Sequence, residues 1–268
     1  MILLGFVATA LALGLMGGTF ALARRISNFS VVDVAWSFNF TPLAVAIGWL
    51  GSGTPSRRLA VTGIVALWSL RLALLLARRI AALHPQEEGR YVELRRRWAA
   101  DIDGRFLRFF LFQGVLNAVL ATPLMFAAQN PAPFPSALEV TGLVVFALSL
   151  TGESVADAQL NAFKRNPRNR GGVCRQGLWA FSRHPNYFFE WLVWCAYALI
   201  ASASPLGWIS WFCPALMLYF LLRVTGIKAT EEHAVSSRGE AYREYQATTS
   251  AFVPWFPRRA ARKILTIK

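Results

Sequence analysis

Residues 2–23, ILLGFVATALALGLMGGTFALA, run for 22 positions without a charge. A helix of that length rises roughly 33 Å, enough to cross a hydrocarbon core of about 30 Å. The first charges, Arg24 and Arg25, come only at its end. The block therefore lacks the positively charged start of a secretory signal and has the flank of a retained anchor. Apolar blocks of similar length recur near 32–50, 59–83, 106–128, 136–160, 185–203 and 206–224, and hydrophobic residues make up 55% of the 268. The pattern predicts an all-α integral membrane protein, with about seven transmembrane helices in one bundle and residues 1–268 as a single membrane domain. Arg-rich sequence joins the first four spans, residues 1–128. Residues 129–268 carry longer polar loops and most of the unusual polar residues.

The formal charge is +14, and its distribution is one-sided. Of 28 Lys and Arg, two follow the first span, eight lie from Arg78 to Arg108, six from Lys164 to Arg183 and nine from Arg223 to Lys268. Only Arg57 and Arg58 fall on the other side, and Arg71 lies inside a span. By the positive-inside rule the N-terminus is expected outside and the C-terminal tail in the cytoplasm, most naturally at a bacterial inner membrane. Topology alone accounts for such a bias, so the charge does not call for nucleic acid. Cys174, Cys195 and Cys213 form no CxxC and read as packing residues. His84, His184 and His233 have no ligand spacing, so no metal site is expected. Nothing implies an oligomer.

Residues 165–177, RNPRNRGGVCRQG, read as an exposed loop. Residues 228–257 read as a tail in which EEHAVSSRGEAYREYQ is helical and Pro254 to Pro257 ends the helix.

The polar residues inside spans carry the functional argument, because each is costly in a bilayer. Asn186, Glu190 and Trp194 recur every four residues and share one helical face. Pro185 suits the first turn of that helix, which leaves Arg183 and His184 at its positive end, a ready anion site. The bland alternative is that Asn186 and Glu190 only tie helices together. Glu153, Asp157 and Lys164 fall on one face of the fifth span, with Gln159 and Asn161 beside them. A solvated helix end would look similar, but acids there suit a ribose or amide, and Lys164, Arg168, Arg170, Arg175 and Arg183 suit phosphates. Arg71 must face the interior or water, paired structurally with a residue such as Asp33 or Glu190, or reaching a ligand. Asp33 opens the second span, where Ser30 and Asp33 also match a capping box.

The segments NFSVVDVAW, ADAQLNAFK, GLWAFSRHPNYFFEW, LLRVTGIKATEEH and YREYQATTSAFVPWFP together resemble the bacterial branch of the steroid 5-alpha-reductase family, in order over most of the chain. GLW-x-x-SRHPNY-x-x-E is the most specific of them. Phe189 departs from the pattern, since the related sequences usually carry Gly there. The resemblance implies a seven-helix fold that takes NADPH from the cytoplasmic side and reduces the carbon–carbon double bond of an enone such as a 3-oxo-Δ4-steroid. Residues 1–128 would then be the substrate half and 129–268 the cofactor half. Carried over to this chain, the cofactor contacts are Asp157, Lys164, Arg170, Arg183, His184, Asn186, Tyr187, Glu190, Trp194, Arg223, Glu231 and Tyr245. With no GxGxxG, side chains rather than a Rossmann turn would hold the dinucleotide. Asp33 would donate a hydrogen bond to the substrate carbonyl, Trp36 would line the substrate and Arg71 would anchor it. The apolar substrate would enter from the lipid.

A membrane methyltransferase of the isoprenylcysteine carboxyl or phospholipid type is the rival, since it shares an RHPxY segment and a later pair of glutamates, here Glu231 and Glu232. Its donor, S-adenosylmethionine, has no phosphates for the basic residues of 164–183. A transporter or lipid-binding scaffold would need the inverted repeats or paired broken helices that are not seen here.

Overall fold

The computed structural model describes residues 1–224 and 226–258. Of the basic tail, Arg259, Arg262, Lys263 and Lys268 lie outside the described residues, as does Thr225 of the LLRVTGIKATEEH segment. The chain is an all-α integral membrane protein, 78% helical. Helices α1 (Ile2–Arg25), α2 (Val31–Leu50), α3 (Pro55–Leu83), α4 (Gly89–Arg97), α5 (Ile102–Leu120), α6 (Thr122–Gln129), α7 (Ala137–Arg165), α8 (Pro185–Ala201), α9 (Phe212–Tyr219), α10 (Ile227–Arg238) and α11 (Glu240–Thr248) follow in order. Among the described residues, six stretches are long and apolar enough to cross a membrane: α1, α2, α3, Ile102–Gln129, α7 and Gly207–Arg238. The expected span at 185–203 forms α8, which is 17 residues long. The expected single helix over 106–128 is broken between α5 and α6, where Pro123 stands in the first turn of α6 and cannot donate to the preceding ladder. Gly239, at φ +55, splits the tail helix into α10 and α11, which ends at Thr248 rather than at the prolines.

Contacts divide the chain into two compact units, 1–140 with 197–213, and 141–196 with the residues from 214 onward. In the first unit, α1 meets α5 through small residues. Ala8, Ala12, Met16 and Ala23 are buried on one face, and a Cβ on Gly114 would come within 3.2 Å of the Ala12 carbonyl. Such close approach is how apolar helices gain dispersion energy when lipid removes the hydrophobic incentive. Helices α2 and α3 form a hairpin stitched by hydroxyls: Ser69 Oγ donates to the Ser37 carbonyl at 2.6 Å and Thr62 Oγ1 to the Ala44 carbonyl at 3.2 Å. Each such bond is worth about 0.6 kcal/mol.

Arg57 is expected on the outer side, just ahead of the third span. It lies in the first turn of α3, with both its side chain and that of Glu139 fully buried and paired. Its guanidinium also donates to the carbonyls of Asn130, Ala132 (2.9 Å) and Pro133 (3.0 Å). Desolvating two ions is repaid only when nearly every donor finds an acceptor, and here the 130–133 segment supplies them.

In the second unit, Trp179 Nε1 donates to the Ala156 carbonyl of α7 at 2.9 Å, and the Leu178 amide donates to Gln159 Oε1 at 2.9 Å. Gly177 makes this possible. Its φ is +57, and a Cβ there would sit 2.3 Å from the Gln159 amide. The 165–177 loop is exposed as expected, except that Cys174 is buried.

Candidate functional site

The first unit builds a polar cluster around Asp33. Loop 84–101, between α3 and α5, folds back over the start of α2. Ser30 Oγ accepts from the Glu88 amide at 3.0 Å, Glu87 Oε1 accepts from the Phe29 amide, and Arg95 lies over the Phe29 ring at 4.8 Å. Phe29 in turn stacks on Phe106 at 3.8 Å. These contacts fix α4, and α4 carries the fully buried Tyr91, whose hydroxyl donates to Asp33 Oδ1 at 2.6 Å. Burial, with the Asp33 carboxyl beside it, pushes the Tyr91 phenol well above its ordinary range, so its proton stays in place. Arg90 and Arg79 are the cations in electrostatic reach of Asp33, and Arg79 also pairs with Glu88 at 2.7 Å. The capping box does not form. Ser30 makes no side-chain cap on α2 because its hydroxyl is committed to Glu88.

Trp36 packs beside the same aromatic cluster as Tyr91, and its indole nitrogen is buried with no hydrogen-bond partner. One turn on, Asn39 donates to Asn117 Oδ1 at 2.9 Å, and Asn117 donates to the Trp36 carbonyl at 3.0 Å. Arg71 is half-buried on α3. A large groove of about 660 Å³ lies between α1, α2 and α3. On α2 it is lined by Val31, Val34, Ala35 and Phe38, which lie roughly 100–160° around the helix from Asp33. The groove and the carboxyl thus occupy different faces of one helix.

The second unit builds another cluster. Glu153 and Asp157 are buried one turn apart on α7, and Asn186 Nδ2 of α8 donates to Asp157 Oδ1 at 3.3 Å. The four-residue recurrence on α8 is realised: Trp194 Nε1, fully buried, donates to Glu190 Oε1 at 3.0 Å. Phe189 packs against Gly152, where an added Cβ would meet the ring at 2.4 Å.

Arg183 is the hub between the start of α8 and the tail. It holds Glu231 through Nε at 2.6 Å and Nη2 at 3.2 Å, and donates through Nη1 to the carbonyls of Gln246 (2.9 Å) and Thr249 (2.6 Å). His184 Nε2 lies 3.2 Å from Glu231 and its ring stacks on Tyr187 at 5.3 Å. Tyr245 donates to the carbonyls of Trp179 and Ser182, and burial raises its phenol above the ordinary range. Arg175 is spent on Glu244 at 3.1 Å and the Ala241 carbonyl. Lys164, Arg168, Arg170 and Arg223 are exposed. Arg168 and Arg170 form no ion pair among the described residues. The structure therefore brings Asp157 to Asn186, Glu190 to Trp194, and Arg183 and His184 to Glu231, and leaves the loop cations at the surface.

The sequence reading passes over Tyr91, Glu87 and Glu88. The signal available was an apolar stripe, Tyr91, Leu94 and Trp98, within an Arg-rich stretch, together with two adjacent acids where topology favours bases.

A family model described as Protein of unknown function (DUF1295) matches residues 19–249. The chain belongs to the DUF1295 family. That family is related to the steroid 5-alpha-reductase-like membrane proteins. An uncharacterized protein of Schizosaccharomyces pombe is 28% identical over 257 residues, covering 85% of this chain and 73% of that protein. A probable O-methyltransferase, ustE, of Ustilaginoidea virens is 37% identical over 64 residues. That match covers 24% of this chain and spans only 22% of the ustE protein. No solved structure matches the chain.

Proposed function

We propose that this DUF1295 protein is a membrane-embedded reductase that uses NADPH to reduce the C=C bond of an enone lipid such as a 3-oxo-Δ4-steroid. The observation that carries the reading is the Tyr91–Asp33 hydrogen bond of 2.6 Å among apolar side chains. With Asp33 protonated, the pair holds two acidic hydrogens. One closes the bond between them and the other is available to a carbonyl oxygen, where it stabilises the enolate as charge develops. Trp36, with an unsatisfied indole N–H beside this cluster, supplies a further donor to an oxygenated substrate. Arg90 and Arg79 favour negative charge nearby.

NADPH, when bound, would supply a hydride to the β-carbon, and water the proton that the α-carbon then takes up. The donor set of the second unit suits such a ligand. Exposed Lys164, Arg168, Arg170 and Arg223 offer charge to phosphates, while buried Glu153 and Asp157, with Asn186 and Glu190, offer acceptors and an amide for ribose or nicotinamide. Arg183, His184 and Tyr187 shape the adjoining wall, and Glu231 and Tyr245 hold the tail against it. In this reading the basic ends face the cytoplasm and the apolar substrate reaches the protein from the bilayer.

The partial likeness to a probable O-methyltransferase supports a second reading, methyl transfer from S-adenosylmethionine. Purified protein in detergent is heated with NADPH and with S-adenosylmethionine, and absorbance of the reduced nicotinamide is followed with 3-oxo-Δ4-steroids and linear enones. Stabilisation by NADPH and consumption of its absorbance with an enone are expected. Stabilisation by S-adenosylmethionine alone sinks the proposal.

A further inference from the structure

After α11 the chain returns as a strap along the residues that precede α8. The Arg183 amide donates to the Ser250 carbonyl at 2.8 Å, Ser182 Oγ donates to the Phe252 carbonyl at 2.8 Å, and the Trp255 amide donates to the Phe181 carbonyl at 2.9 Å. Phe252 packs edge-on against Phe188 with ring centroids 5.6 Å apart, and lies 5.9 Å from Trp191. Those two rings belong to the first two turns of α8, so Phe252 lies roughly 5–9 Å along that apolar helix from its start. The strap therefore packs beside the first turns of an apolar helix.

Its other side is apolar and uncovered. Val253 is 51% exposed, Trp255 66%, Phe256 77% and Phe181 38%, and the Phe181 and Phe256 rings touch edge to face at 6.0 Å. Aromatic rings next to bases are the composition of membrane interfaces, where the ring body sits among acyl ends and the cation among phosphates. Arg258 follows after Pro257, and the sequence has no acid anywhere in 247–268.

We propose that residues 249–258 are an interfacial anchor: Phe181, Val253, Trp255 and Phe256 enter the leaflet on the basic side, and Arg258 binds its anionic headgroups. The anchor bears on the Arg183 hub, because the carbonyls of Thr249 and Ser250 that hold Arg183 belong to the strap. Anionic lipid thus steadies the tail whatever ligand the second unit takes.

The test places a bimane fluorophore at Phe256→Cys in nanodiscs of phosphatidylcholine with phosphatidylglycerol; Cys174, Cys195 and Cys213 are buried and do not compete for the label. Brominated acyl chains are expected to quench most of the emission, and aqueous iodide little of it. Amide exchange over 250–256 should be slower with phosphatidylglycerol than without it, and Trp255→Ser with Phe256→Ser should abolish that difference. Full quenching by iodide with none by bromine overturns the proposal. So does protection that appears only at high protein density, which would mean that a second copy covers the patch.

Discussion

Tyr91 and Asp33 are 58 residues apart in sequence, and the phenol of one donates to the carboxyl of the other at 2.6 Å. The bond is held from outside the membrane span, because α4 is pinned by Glu87, Glu88 and Arg95 on the loop that carries it. Tyr91→Phe keeps the ring packing and removes only the donor. It is expected to lower kcat/KM for enone reduction by roughly 10-fold, the loss for one hydrogen bond of about 1.4 kcal/mol, because Asp33 then lacks the bond that orients it toward the substrate carbonyl. Steady-state kinetics beside a melting curve checks this. A purely structural tether would lower Tm and leave kcat of the folded enzyme unchanged.

Alkali provides an independent probe of the same burial. Burial raises the phenols of Tyr91 and Tyr245 and pushes Tyr242 up to about 12. An unfolded phenol titrates near 10, so the folded state favours the neutral form. The stability these groups contribute is fully present below that pH and is lost as pH rises through the folded values. Absorbance at the phenolate band should therefore show Tyr91, Tyr242 and Tyr245 lagging through the ordinary range, then ionising with loss of helical signal. Ionisation of these three near the ordinary value with the helical signal intact would contradict the packing.

Much of this architecture was legible in the sequence, and the reasons for the remainder are specific. Length and apolarity predict the spans, because a bilayer sets both. The stripe Asn186, Glu190, Trp194 predicts its own helical face, and the Trp194–Glu190 bond lies along it. The stripe that holds Tyr91 is legible but its partner is not, since the Asp33 bond depends on Glu87 and Glu88 locking the loop onto Phe29 and Ser30, which no periodicity encodes. Ser30 shows the converse. It has the right spacing for a helix cap, but the Glu88 amide competes for its hydroxyl and wins. Arg183 reads as an anion ligand because of its place before a helix, whereas its donors are filled from the tail more than 45 residues later.

Arg57 and Glu139 make the strongest case for stability. Neither side chain is exposed, and the guanidinium also holds the 130–133 backbone. Glu139→Gln leaves a buried cation without its counter-ion and should cost about 3–5 kcal/mol. Arg57→Lys should also destabilise, because an ammonium cannot reproduce the fork. The paired apolar replacement Arg57→Met with Glu139→Leu is expected to recover part of the loss in thermal unfolding. A single Glu139→Gln that melts like the parent would show the pair to be dispensable.

Phe189 and Gly152 fit each other as ring and gap. A methyl group on Gly152 would meet the ring at 2.4 Å, so Gly152→Ala should cost about 1–3 kcal/mol through overpacking. Phe189→Gly, which restores the residue usual in the similar sequences, opens space for that methyl group. The double variant should be more stable than the sum of the single changes predicts, with a coupling of about 0.5–3 kcal/mol. Strict additivity would place the ring elsewhere.

The Arg183–Glu231 pair separates a structural hub from a phosphate ligand. Glu231 accepts from Arg183 twice, from Gln246 at 2.8 Å, and lies 3.2 Å from the His184 ring. Glu231→Gln keeps the shape and removes the charge, leaving a guanidinium that is only 10% exposed without its counter-ion. Such a loss costs about 3 kcal/mol. The cost should be local: amide exchange should quicken over α10, α11 and residues 249–252, whose carbonyls and side chains converge on Arg183, and stay unchanged in α1 to α6. If Arg183 also serves phosphates, the same substitution strips away its competing anion. NADPH should then slow that exchange more in the variant than in the parent. Equal protection in both proteins would confine Arg183 to holding the tail.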